Sequence, residues 1–225
     1  MPPLLSTTPE MDALEREIVD HVFVLQPGYG VALGLHQYDG IVPDLSDSAT
    51  AHWADQADRL LQRLAAVSDG RLSADRKIDA FLLRLLLESP LFDVRESRDL
   101  DRNPMSYVGS ISLTAYLVRD YAPLADRVRS ILKTLESVPQ LLDDGRRRLA
   151  GPLPRQFVEL SLAIGGGLPA HFGEAETFAA RAGLAREVHA ARQPAEAAVA
   201  RFLGWLKEEE LPRAIPEFAL GPERY

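Results

Sequence analysis

The stretch 124-LADRVRSILKTLESVPQLLDDGRRRL-149 decides the fold class. Leu124, Val128, Ile131, Leu135 and Val138 recur at spacings of three and four, which lines them along one face of a helix. Pro139 restarts or kinks the element, which then runs on to Leu149. Arg146-Arg147-Arg148 is the basic cluster of the chain and falls at the C-terminal end of this helix, where cations complement the macrodipole. A phosphate or an acidic partner is the other reading of the three arginines.

The same period extends outward in both directions. Thr8-Pro9-Glu10 opens a helix with a cap, a proline in the first turn and an acid near the positive end. Met11, Leu14, Ile18, Val22 and Leu25 form its stripe, and Pro27-Gly28 ends it. A short helical piece is expected around Gly30 to Leu35, followed by a loop. Ser46 caps a helix with Trp53, Ala57, Leu60, Leu64 and Val67 inward, closed by Asp69-Gly70. Ser73 caps the next, for which Ile78, Phe81, Leu82, Leu85 and Leu86 are the expected buried face and Pro90 the end or a kink. Tyr107, Ile111, Ala115 and Val118 fit one further helix. Beyond Gly151-Pro152-Leu153-Pro154, Phe157, Leu160 and Ile164 begin another, stopped by Gly165-Gly166-Gly167. Phe178, Leu184 and Val188 fit short pieces. Ala195 to Glu210 forms a last helix on Val199, Phe202, Leu203 and Leu206, with Lys207-Glu208-Glu209-Glu210 as a solvated end.

No segment sustains the alternation of a half-buried strand. The expectation is an all-α protein, an irregular array or bundle of roughly eight to ten helices. It is read as one helical domain over residues 1–225, with a possible subdomain break near 151–154.

Composition narrows the functions. Of the 225 residues, 46% are hydrophobic and 26% charged, the balance of a globular chain that builds its own core. The formal net charge of −8 repels phosphate backbones, so nucleic acid is not an expected partner. Cysteine is absent, which removes disulfides, thiolate metal sites and a cysteine nucleophile. No apolar run approaches the roughly 20 residues that span a bilayer, and Met1 to Thr8 lacks a basic leader, so the expectation is a cytoplasmic protein without a membrane partner.

The five histidines carry no hydrolase motif. His21, His36, His52, His171 and His189 are followed by Val, Gln, Trp, Phe and Ala, so none opens the His-Glu-x-x-His of helical zinc hydrolases. His171-x-x-Glu174 is the nearest substitute, but Pro169 and Gly173 argue against a regular helix there. The triple glycine has neither a preceding strand nor a following Gly-Lys-Ser/Thr, and no Gly-x-Ser-x-Gly elbow occurs. Two segments supply cleft-lining candidates. His36, Tyr38 and Asp39 lie in the Gly34–Gly40 loop, which either feeds a cleft or ties a turn to neighbouring backbone. Asn103 and Tyr107 lie in Asn103-Pro104-Met105-Ser106-Tyr107, a helix-entry turn with the asparagine as cap. No catalytic residue, metal ligand or cofactor is assigned within the chain.

Several of these segments, taken in order, resemble the N-terminal half of the bacterial "domain of unknown function 885" family. They are Pro27 to Gly40 with its Gly-x-His-x-Tyr-Asp core, Pro43-Asp44-Leu45-Ser46, Leu72 to Asp79, Asn103-Pro104-x-x-Tyr107 and Arg127 to Leu149. Phe202-Leu203-x-x-Leu206, Leu211-Pro212-Arg213-Ala214 and Phe218 to Tyr225 complete the series. The resemblance implies a longer, all-helical protein similar to zinc-dependent peptidases of the gluzincin kind. Its His-Glu-x-x-His motif would lie in a second half, and zinc is expected only in such a full-length relative. It carries no zinc ligand and no catalytic glutamate onto this chain. The implied partners are a missing C-terminal half, or a second copy through exposed apolar surface, with a peptide substrate only in the full-length form. Leu220 to Tyr225 reads as the cap of a helix that is never written, so this chain alone is expected to be inactive. The alternative is a non-catalytic helical interaction module.

Overall fold

The computed structural model describes residues 8–68, 72–149 and 151–221. The first helices in chain order are α1 (Thr8–Leu25), α2 (Pro27–Ala32), a 3-10 turn His36–Tyr38, α3 (Asp47–Ser68) and α4 (Ala74–Phe92). A π-helical turn Asp93–Ser97 then leads into three short helices, α5 (Asp99–Arg102), α6 (Met105–Val108) and α7 (Thr114–Val118). The longest helix, α8 (Leu124–Arg148), is followed by α9 (Arg155–Gly165), α10 (Leu168–Ala180) and α11 (Ala185–Trp205). A second π-helical turn Leu206–Glu210 and α12 (Leu211–Arg213) close the series. Among the described residues the only extended pairing is an isolated bridge of Pro154 with Ile215. The expected all-α multi-helix array is the observed architecture.

Two hydrophobic cores are built. α1, α3 and α4 enclose the smaller one around Met11, Leu14, Ile18, Trp53, Leu60 and Leu87. The larger runs from Val31 to Leu206 and has α8 as its spine, with α11 and α10 laid against it. Val128, Ile131, Leu135 and Val138 are each completely buried, as the opening stripe requires. Pro139 stays inside α8, so the helix continues through it. Leu25 packs against both cores and marks where they meet.

The same junction is tied by Arg148. Its guanidinium donates to the Leu45 carbonyl at 3.0 Å and to the Thr50 hydroxyl at 2.7 Å, and pairs with Asp101 at 2.7 Å. Arg148 is thus a buried clamp rather than a helix-end charge, while Arg146 and Arg147 stay exposed beside Glu209 and Asp144.

Several local expectations need correction. α4 does not bury Ile78, Phe81, Leu82, Leu85 and Leu86. It buries Ala80, Leu83, Leu87 and Leu91, and leaves those five 41 to 60% exposed. Pro90 lies inside α4, and the turn comes later, where Arg98 takes the left-handed conformation at φ 51°. The helix expected from Tyr107 to Val118 is two short ones, α6 and α7, with Val118 77% exposed. The triple glycine stops α9 but α10 begins at once. Pro169 sits in the first turn of α10, where a missing N–H costs nothing, so His171 and Glu174 do lie on a regular helix. Residues 185–205 form one long helix rather than short pieces. Glu210 is not solvated. It is fully buried and held by both ends of the Arg213 guanidinium at 2.9 and 2.5 Å. The Ser46 and Ser73 caps are present, accepting from the backbone N–H groups of Ala49 and Arg76. Asp69-Gly70 lies outside the described residues.

Candidate functional site

The five candidates fall into two polar clusters. The first is built by the loop after α2. Gly40 has φ +75°, and a Cβ there would lie 3.0 Å from the Ser130 backbone, so the loop presses its main chain directly onto α8. Its N–H donates to the Tyr116 hydroxyl at 2.8 Å. This contact aims Asp39 at the segment before α8. Asp39 Oδ2 accepts from the Tyr121 hydroxyl at 2.7 Å and stands 3.3 Å from His36 Nδ1. The His36 ring stacks on Tyr121 with centroids 4.0 Å apart and planes 3° from parallel. Asp39 Oδ1 is buried without a hydrogen-bond partner.

The structure thus joins His36 to Asp39 and adds Tyr121, which sequence reading missed. Asp39 and Tyr121 are far apart in sequence, and no local period connects them. Tyr38 points away. Its hydroxyl donates to Asp20 at 2.8 Å and its ring packs on Phe23 at 5.1 Å. Burial raises the phenols of Tyr38, Tyr116 and Tyr121, and the carboxylates of Asp20 and Asp39 reinforce the effect at Tyr38 and Tyr121 respectively. These phenols remain neutral hydrogen-bonding groups across the physiological range. The His36 imidazole is half exposed, with Asp39 behind it.

The second cluster lies where the two cores meet. Asn103 Oδ1 accepts from the Met105 N–H at 3.1 Å, the expected cap, and Asn103 Nδ2 donates to Asp99 at 3.0 Å. The Ser106 hydroxyl donates to the other oxygen of Asp99. Tyr107 is completely buried. Its hydroxyl donates to the Leu100 carbonyl at 2.7 Å, and its ring lies so close to α8 that a Cβ at Gly145 would come within 2.7 Å of it. Burial raises the Tyr107 phenol too. Tyr107 is therefore a packing residue, and Asn103 is bonded to Asp99, which lines a cleft. That cleft is lined by Leu25, Leu45, Pro90, Asp93, Asp99 and Ser106, among others. Desolvation there, and then the Asp99 charge, raise the Asp93 carboxyl.

Neither cluster supplies metal chemistry. Among the described residues no group of three or more His, Cys, Asp or Glu side chains is placed to hold an ion. His171 with Glu174 and His189 with Glu176 are pairs at 3.2 Å, and Arg192 already occupies the Glu176 carboxylate at 3.0 Å. Zinc does not fit the described residues. Among the described residues no helix is long and apolar enough to cross a membrane.

No curated protein shows a significant match to the chain. A solved structure from Shewanella oneidensis, described as "a putative lipoprotein of unknown function", superposes with a TM-score of 0.79 at 20% identity. The match covers 88% of this chain and 37% of that one, so the chain spans well under half the length of its structural neighbour. At that identity the likeness speaks for the fold. The family model for a bacterial protein of unknown function, DUF885, matches residues 27–225, from the first turn of α2 through both polar clusters, and the chain belongs to that family.

Proposed function

We propose that this chain is the N-terminal helical half of a peptidase-like hydrolase and acts as one wall of its substrate cleft. The observation that carries the reading is the span. The solved neighbour with this fold holds the matched region in 37% of its length, which leaves room for a second body of chain. An open apolar patch supports it. Leu160 and Ile164 of α9 are 49% and 44% exposed, and Phe218 beside Phe157 is 50% exposed. Such a surface suits packing against more polypeptide. In this reading zinc and its water-activating glutamate belong to the other half, and the part played here is positioning. The His36–Asp39–Tyr121 cluster would offer a hydrogen-bonding group to a peptide lying along the wall. A cytoplasmic location is part of the same reading, and cell fractionation against a lipoprotein control tests it.

The test is to titrate zinc into the purified chain by calorimetry and to assay it on a peptide library. The expected result is no tight zinc binding and no hydrolysis, with both appearing when the chain is joined to a His-Glu-x-x-His half. Zinc-dependent cleavage by the chain alone, or a joined protein that binds zinc yet cleaves no peptide, would overturn the reading. A non-catalytic interaction module is the second reading, favoured by the outer face of α4. The coding sequence following the Tyr225 codon separates the two, because an in-frame His-Glu-x-x-His is required by the first.

A further inference from the structure

α4 is apolar on two opposite sides. Ala80, Leu83, Leu87 and Leu91 face α1 and α3, while Ile78, Phe81, Leu82, Leu85 and Leu86 lie on the other side, all exposed. Spacings of three and four make the second set a continuous stripe, complete enough to seat another helix. We infer that this stripe binds the same stripe of a second copy of the chain, with the two α4 helices antiparallel about a two-fold axis. The inference does not rest on the peptidase reading.

The occupant follows from the charges along the stripe. Lys77 and Glu88 stand about three helical turns apart, so both lie on the same edge of it. In a two-fold antiparallel pair each edge meets the same edge of the partner in reverse order. Lys77 then meets Glu88 of the second copy, and the reverse, when the axis passes between Leu82 and Leu83. The apolar stripe from Ile78 to Leu86 is centred on Leu82, so charge and apolar registers nearly coincide.

In the same register Arg84 comes level with Phe81 of the second copy. The Arg84 guanidinium already stands 5.3 Å from the ring of its own Phe81 and 3.8 Å from Glu88. Asp75 and Asp79, on the opposite edge, meet Pro90 and Leu86, so no like charges oppose. Beside Phe81 a groove between α3 and α4, floored by Leu61, Leu64, Ala65 and Ala80, extends the apolar contact. A partner of unrelated sequence has no reason to match this register, whereas a second copy does so by symmetry.

Sedimentation velocity over a concentration series tests the pairing. The chain is expected to dimerise. Lys77→Glu and Glu88→Lys should each weaken the dimer about tenfold, since each reverses two exposed pairs, and the double reversal should restore it. Circular dichroism should be unchanged for all three. The chain has no cysteine, so single replacements report geometry cleanly. Leu82→Cys, next to the axis, should form a disulfide-linked dimer on mild oxidation. Ile78→Cys, whose two copies lie at opposite ends of the contact, should not. A monomer at high concentration, cross-linking by Ile78→Cys in place of Leu82→Cys, or a double reversal no better than the singles would each overturn the proposal. The first of these leaves the stripe to another part of a longer polypeptide.

Discussion

The two cores use their polar groups in opposite ways. The smaller core, of α1, α3 and α4, is sealed mainly by apolar contact; its Trp53 indole donates to the His21 carbonyl at 2.8 Å, and its ion pairs lie outside. Arg76 bridges Asp12, Glu15 and Asp79, Arg63 meets Glu17, and Arg95 meets Asp58, all partly in water. Exposed pairs of this kind contribute little each. The larger core takes polar groups inside. Arg127, Thr134, Ser161 and Glu210 are buried in it. Arg127 reaches Asp120 at 2.9 Å and lies against the Phe178 ring at 5.2 Å. Thr134 and Ser161 return their hydroxyls to the carbonyls of Ser130 and Phe157. These bonds are local in sequence, and they satisfy the polar groups that the larger core encloses. The smaller one carries surplus apolar surface on the outer side of α4.

The comparison can be sharpened by single changes, beginning with the largest. Leu87→Ala removes a completely buried side chain of the smaller core and should lose about 2–5 kcal/mol in urea denaturation. Leu85→Ala, two residues away on the outer stripe, should stay within about 0.5 kcal/mol for the monomer. Equal losses would mean that the outer stripe is part of the core. Arg148→Met cuts the clamp between the cores and strands the Leu45 carbonyl, a loss of about 3 kcal/mol. Fluorescence from Trp53, in the smaller core, and Trp205, in the larger, should then report separate transitions where the unaltered chain shows one. Tyr121→Phe deprives Asp39 of the donor to Oδ2 while Oδ1 is already unpaired, and should cost about 1 kcal/mol by thermal melting.

The smallest effect concerns pH. The folded state raises the Asp93 carboxyl above its ordinary value, so it holds that proton more tightly than the unfolded chain does. Stability from this group is complete in acid, below the unfolded value, and falls as pH rises through the folded one. Asp93→Asn should therefore raise the melting temperature slightly at neutral pH and leave it unchanged in acid.

The contrast between the cores also explains what the sequence disclosed. Helices were legible wherever one face is apolar and the other charged, as in α1, α3 and α8. The inward face of α4 was not, because two apolar faces satisfy the same period. The stripe with the larger side chains, Phe81 and Leu85 among them, is the one left outside. The short Gly34–Gly40 and Asn103–Tyr107 segments were legible as special turns, from their glycines, proline and capping asparagine. What those turns touch was not. Tyr121 meets Asp39, and Arg148 meets Leu45, across wide separations that only packing decides. The buried Glu210 was hidden for a similar reason, since its partner Arg213 comes after a π-helical turn that no helical period anticipates.

The bridge between Pro154 and Ile215 sets an order of events during synthesis. The Arg155 N–H donates to the Ile215 carbonyl at 2.8 Å, and the Ile215 N–H to the Leu153 carbonyl at 3.0 Å. The start of α9 is thus pinned by residues that leave the ribosome only after α10 and α11 have been made. Contacts between such distant positions form late and slow the search. The larger core cannot lock progressively as it emerges. It must wait, with α8 and α9 in hand, for a strap of chain made after α11.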